Sequence, residues 1–290
     1  MIPTYQEIVR TVPTWLFSTW ITILGACVGS FLNVCIYRIP KEESVVTPRS
    51  HCGCGKLIAW YDNIPILSWL ILRGRARCCG RPFSFRYPAI ELLTAVLFLL
   101  CWTLFPAGKA VAGMVLCSIV ICAFFIDFDH MIIPDAFTIG GAAVGVVLSF
   151  ALPSLHDQAH GVFMVEALRS TQQAVLGLFV GSALVLWIAL FAEAILKKEA
   201  MGFGDTTLMA MVGAALGPGR ALLTIFAGAF IAAVVFLLAV YPVVWVRSRR
   251  RGTALEVPLV PFGVFLSPAA LLTLLWGDAL IRWYLERMLG

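Results

Sequence analysis

Charge is what this chain has least of. Asp, Glu, Lys and Arg make up 13% of its 290 residues, against 61% hydrophobic residues. A soluble domain carries about a quarter charged residues, so that class is excluded. No Ser-His-Asp pattern can be found, which removes the usual serine hydrolase arrangement. No glycine-rich dinucleotide-type loop follows a strand pattern. No internal repeat or low-complexity tract is present. The first apolar run lacks a basic start and a small-residue cleavage site, so it is not expected to be a removable signal peptide.

Long apolar runs are what the chain has instead. A spanning helix needs about 20 apolar residues. About eight stretches qualify, near Trp15–Tyr37, Ala89–Phe105, Lys109–Ile126, Pro134–Leu152, Gln172–Leu196, Thr206–Leu216, Ala221–Val246 and Leu259–Trp283. The sixth is short. It is either a half-helix or continuous with the seventh across Gly217-Pro218-Gly219. The expected fold is therefore all-α: a polytopic transmembrane bundle of about eight helices with one cysteine-containing loop domain. It divides into a first span with its leader (1–37), the loop (38–88) and a membrane core (89–290).

The formal charge is +5, but its placement says more than its sum. Nine Lys and Arg lie between Arg38 and Arg86; Lys197 and Lys198 follow the fifth span, and Arg247, Arg249, Arg250 and Arg251 the seventh. Basic loops stay in the cytosol. The N-terminus, the 152–171 loop and the C-terminus then face the other side. Such loops could instead meet nucleic acid or lipid headgroups. The charges flank spans and do not form one run, so topology is the better account and no nucleic-acid partner is expected.

Two places put acids beside apolar runs. Met201-Gly202-Phe203-Gly204-Asp205 lies between two spans. The glycines let the backbone bend, adopt a positive φ and approach a ligand closely, and Asp205 suits a helix N-terminus. A lone G-x-G-D would be read as a helix cap. The third span, however, ends in Asp127-Phe128-Asp129-His130-Met131-Ile132-Ile133-Pro134-Asp135. Asp129 and His130 suit a solvated turn, and Pro134 and Asp135 the start of the next helix. Asp127 is the first acid after an uncharged run and is expected to reach inward. An acid at the edge of a bilayer is a candidate functional group. Two carboxylates brought close cannot both ionise, so together they hold an acid and a base. That is aspartic-protease chemistry, and Asp127 and Asp205 are the candidates for such a pair. Substrate-binding residues cannot be named from the sequence.

The loop holds Cys52, Cys54, Cys78 and Cys79. In a reducing cytosolic loop these thiols read either as a tetrahedral zinc site or as free structural thiols. The spacing, C-x-C and C-C in place of C-x-x-C twice, fits zinc poorly, and His51 is a possible substitute ligand. Between the pairs, Trp60 to Leu70 is aromatic and apolar and is expected to fold back on the membrane face. Gly25 and Gly29 form a G-x-x-x-G suited to close helix packing, and Asn33 needs a buried partner. His156, Asp157 and His160 in the 152–171 loop read as an ordinary exposed loop before they read as a metal site.

Several short motifs occur in order: Gly29-Ser30-Phe31-Leu32-Asn33-Val34 with Tyr37-Arg38-Ile39-Pro40; Tyr61-Asp62-Asn63-Ile64-Pro65 with Ser68-Trp69; Arg86-Tyr87-Pro88; Asp127 through Asp135; and Gly202-Phe203-Gly204-Asp205. Together they resemble the bacterial type IV prepilin peptidases, bifunctional G-x-G-D aspartic proteases and N-methyltransferases of the inner membrane. The resemblance implies that Asp127 and Asp205 cleave the leader of a type IV prepilin or type II secretion pseudopilin at the cytosolic face. It also implies that the new N-terminal residue is methylated from S-adenosylmethionine, and that the cysteine loop carries zinc. One departure stands out: Ala76 occupies the place of the family's third cysteine, with Cys78 two positions later. A second class of reading is an ion- or proton-coupled transporter using intramembrane acids. The lack of a repeat and the placement of both acids at one edge argue against it. A purely structural subunit would leave the acids and cysteines without a role.

Overall fold

The computed structural model describes residues 14–158, 161–197, 201–251 and 260–289. The interfacial leader before Thr14, His160, Lys198 and the basic turn beyond Arg251 lie outside those residues. The long helices are α1 (Thr14–Arg38), α3 (Arg86–Leu104), α4 (Ala107–His130), α5 (Asp135–Ala151), α6 (Phe163–Leu196), α7 (Phe203–Leu216), α8 (Pro218–Val235), α9 (Tyr241–Arg251) and α10 (Gly263–Leu289); α2 (Leu67–Ile71) is a short turn of helix. A π-helical stretch, Phe236–Val240, joins α8 to α9, so Pro218–Arg250 forms one continuous span. Among the described residues, six helices are long and apolar enough to cross a membrane, and α5 and α7 are shorter apolar helices. Among the described residues there are no named strands, only two isolated bridges. Backbone groups in lipid must be satisfied within the segment, and helices do this.

Some boundaries differ from the sequence reading. Helix α6 begins at Phe163, so much of the expected 152–171 loop is helical. Its first turns carry Glu166 and Arg169, and such polar residues mask a helix from a hydropathy window. The short sixth run is a helix of its own, ended at Gly217 (φ 82°), where α8 starts with Pro218 at its first position.

The chain divides into two compact units, residues 1–118 and 119–290. In the first, α1 packs on α3 through the small-residue face. A Cβ at Gly25 would lie 2.7 Å from the Ala95 Cα, and one at Gly29 2.7 Å from the Glu91 Cα. Asn33 donates to the carbonyls of Gly29 and Tyr87, both at 3.2 Å. Arg38, buried, donates to the carbonyls of Ser44 (2.9 Å) and Pro48 (2.8 Å) and so clamps the start of the loop. The second unit places α7 against α5 and α6. Leu208, Met209, Met211 and Val212 are buried almost completely on α7. The buried hydroxyls of Thr138 on α5 and Thr207 on α7 are hydrogen-bonded at 3.0 Å. The large side chains exposed on α6 and α8, such as Phe179, Trp187, Phe226 and Phe230, suit contact with lipid tails.

Candidate active site

Three helix ends of the second unit meet at one place. Asp127 lies in the last turn of α4, Asp205 in the first turn of α7, and Gly263 opens α10. Asp127 and Asp205 are buried, at 4% and 5% exposure, although both belong to a residue type that is almost never buried without a partner. The point where a Gly263 Cβ would sit is 2.5 Å from Asp127 Oδ2 and 2.9 Å from Asp205 Oδ1. The gap between the two oxygens therefore cannot exceed the sum of those distances, which one water molecule can span. The same point is 2.8 Å from Ile133 Cδ1, so an apolar wall closes one side.

Backbone donors face both acids. The N–H of Gly263 is directed at Asp205 and that of Val264 at Asp127. These are orphan donors of a helix's first turn, and the positive end of its dipole favours negative charge there. Asp127 Oδ2 is buried and accepts no hydrogen bond among the described residues. An ionised carboxylate has about four acceptor sites, so this oxygen is available to a shared proton or a water.

The G-x-G-D glycines act differently from expectation. Neither Gly202 nor Gly204 has a positive φ. Gly202 is the extended residue that precedes α7. Gly204 is needed for space, because a Cβ there would meet the Ile133 Cβ at 2.9 Å. Asp205 is the third residue of α7, near the positive end of its dipole. Asp129, His130 and Asp135 are exposed. Gly263 and Val264 were not singled out by the sequence. Pro261-Phe262-Gly263 was their only signal, and it reads as part of an apolar run.

The four loop cysteines form a separate cluster in the first unit. Their sulfurs all lie within 4.8 Å of one another, with Cys52 to Cys79 at 3.5 Å and Cys54 to Cys78 at 3.4 Å. Tetrahedral zinc with Zn–S bonds of about 2.3 Å holds sulfurs about 3.8 Å apart, so this donor set fits the metal. The odd spacing is absorbed by two turns. In the first, Cys52 N–H donates to Lys56 and Gly55 N–H donates back to Cys52. In the second, Ala76 N–H donates to Arg81 and Gly80 N–H donates back to Ala76. Ala76 thus takes the backbone role of Cys52, while Cys78 and Cys79 occupy the tip. The Cys54 N–H, helped by the Cys78 and Cys79 thiols, draws the Cys52 thiol down to about 7. Hydrogen bonding to Cys52 and Cys54 pushes Cys78 up to about 12. His51 is not among the clustered ligand groups. Arg77 ties the second turn to Trp60–Asn63 through a bidentate pair with Asp62 (2.8 to 3.0 Å).

His156 has a packing role. His156 Nδ1 is 3.0 Å from Ser170 Oγ, and its ring lies against Gly217. Asp157 and Asp278 both pair with the buried Arg220.

Comparison with known proteins divides the chain in two. A family described as "Bacterial Peptidase A24 N-terminal domain" matches residues 23–105, and the "Type IV leader peptidase family" matches residues 114–237. A Myxococcus xanthus protein named "Prepilin leader peptidase/N-methyltransferase" is 42% identical over 203 residues, 69% of this chain and 56% of that protein. Proteins of the same name from Aeromonas hydrophila and Legionella pneumophila are 35% and 31% identical. The match covers 95% of this chain and 96% of the Aeromonas protein, and 93% and 95% for the Legionella pair. No solved structure matches.

Proposed function

Because the chain belongs to the type IV leader peptidase family, we propose that it cleaves the leader from type IV prepilins or type II secretion pseudopilins, with Asp127 and Asp205 as its catalytic pair. It is a multi-pass protein of the bacterial inner membrane, with the cysteine loop and the dyad on the cytosolic side. The observation that carries the assignment is the convergence of both carboxylates on Gly263. Residues 38–88 form the loop domain and residues 89–290 the peptidase core.

The pair shares one proton. The ionised carboxylate takes a proton from a water held between the two groups, and that water attacks the scissile carbonyl. The protonated partner hydrogen-bonds the carbonyl oxygen and donates as charge develops on it. The N–H groups opening α10 stabilise the negative charge at the site without having to reorganise. Collapse of the tetrahedral species breaks the C–N bond, and the departing amine takes a proton from the dyad. The pair titrates as a unit, so neither residue is assigned a fixed role.

The new N-terminal amine is then methylated with S-adenosylmethionine as donor. Cys52, Cys54, Cys78 and Cys79 would hold a zinc ion that cross-links the two turns of the loop. The comparisons give the transporter reading no support.

The test is cleavage of a prepilin by the purified protein in liposomes, read by mass spectrometry so that methylation is seen as well. D127N and D205N should each lose cleavage by about a hundredfold or more. Near-normal cleavage by either variant would remove that residue from the dyad.

A further inference from the structure

Both aspartates lie in the second unit, yet the first unit holds a buried acid of its own. Glu91, on the first turns of α3, is 8% exposed. Its Oε2 accepts the backbone N–H of Ile66 at 2.7 Å, and Ser30 of α1 is a second hydrogen-bond partner. The close approach of α1 at Gly29 brings Ser30 there: a Cβ at Gly29 would meet the Cα of Glu91 itself.

The residue that Glu91 holds is strained. Ile66 has φ 63° and ψ −51°, and Leu67 N–H donates to the Pro65 carbonyl at 2.6 Å. This is a γ-turn of the rare positive-φ kind. A β-branched residue is a true outlier there. Such strain persists only where the surroundings over-determine it, and it concentrates at functional sites. The turn is held on its other side by Ser68 Oγ, which accepts Ile64 N–H (2.9 Å) and donates to the Tyr61 carbonyl (3.2 Å). Nothing in peptide cleavage uses this arrangement.

We infer that Glu91 is the carboxylate that binds the new N-terminal amine of the substrate and takes its proton during methyl transfer. This rests on the methyltransferase half of the proposed function. Three observations point there. A desolvated carboxylate favours a cationic partner, and an N-terminal ammonium is one. Two of the carboxylate's about four acceptor sites are used by Ile66 and Ser30, which fix its orientation and leave acceptor capacity for a third donor. The family match also splits so that residues 23–105, which contain Ser30, Ile66 and Glu91, include neither aspartate of the dyad.

The chemistry balances. The ammonium gives one proton to Glu91 and becomes the free amine. The nitrogen lone pair takes the methyl group of the sulfonium: an N–C bond forms while the C–S bond breaks, leaving its electron pair on sulfur as a neutral thioether. The product is a methylammonium, and Glu91 returns its proton to solvent.

The test uses the full-length protein in detergent and the E91Q variant. The glutamine oxygen can still accept Ile66 N–H, so the turn is preserved while charge and basicity are lost. E91Q should cleave prepilin within about twofold of wild type and methylate at least about a hundredfold more slowly. Without methyl donor, it should bind a mature pilin N-terminal peptide at least tenfold more weakly, whereas wild type and variant should bind the N-acetylated peptide alike. Methylation by E91Q within tenfold of wild type, or equal peptide affinity, overturns the assignment. Parallel loss of cleavage, thermal stability and methylation would make Glu91 structural and also overturn it. Wild-type protein that cleaves but never methylates overturns the methyltransferase reading itself, and this inference with it.

Discussion

A methyl group placed on Gly263 would lie 2.5 Å from Oδ2 of Asp127. That is well inside the contact distance of a carbon and an oxygen, and Oδ1 of Asp205 is 2.9 Å from the same point. The absence of one side chain therefore sets how closely the two acids can meet. The glycine backbone also supplies the N–H facing Asp205.

G263A should consequently separate the carboxylates or tilt α10. Displacement by about an ångström can cost about a hundredfold in rate, and overpacking costs about 1–3 kcal/mol of stability. Prepilin cleavage with a thermal melt in the same detergent separates the two effects. An unchanged kcat/KM would show that the close approach is incidental.

The cysteine cluster is expected to hold about one zinc per chain. Changing Cys52 and Cys79 to Ser should bring metal content to background by elemental analysis. Cleavage should survive within a few fold, because Asp127 and Asp205 lie in the other unit. Methylation should fall, because the loop that carries the cysteines also carries Ile66. Equal zinc in both proteins would remove the site.

Arg38 makes two charge-assisted bonds to loop carbonyls from a buried position. Each such bond is worth about 1.5–3 kcal/mol. R38A should expose the segment from Ser44 to Pro48 to protease, and R38K should rescue poorly, because an ammonium lacks the planar fork. Digestion rates identical to wild type would show that the clamp does not hold the loop.

Thr138 and Thr207 join α5 to α7 beneath the dyad. Inter-helix hydrogen bonds in membranes average about 0.6 kcal/mol and reach about 1.7 kcal/mol. A double-mutant cycle with T138V and T207V should give a coupling energy in that range, measured by reversible unfolding. Strict additivity would mean that the hydroxyls are neighbours without a useful bond.

The spans were legible because twenty apolar residues in a row have few alternatives, and nearly every helix lies where hydropathy puts it. The boundaries were less legible. Phe163 to Thr171 is helical although Glu166, Arg169, Ser170 and Thr171 interrupt its apolar residues and weaken the hydropathy signal there. The glycines beside Asp205 were read for a positive φ that neither has, and Gly204 instead makes room for Ile133. Residue type announces freedom, but only a neighbour such as Ile133 shows which use is made of it. The cysteine spacing looked unfavourable because counting residues says nothing of how a turn aims its side chains.

The sequence alone determined that this chain lives in a membrane, that acids sit at two span edges, and that four thiols share one loop. These follow from solvation cost, which each segment carries by itself. Tertiary structure decided that Gly263 lies against both Asp127 and Asp205, that Ala76 supports a turn with its cysteines at the tip, and that Glu91 holds a strained Ile66. Those depend on backbone approaches between distant segments, and a glycine, an alanine or an isoleucine carries no mark of them until the helices are packed.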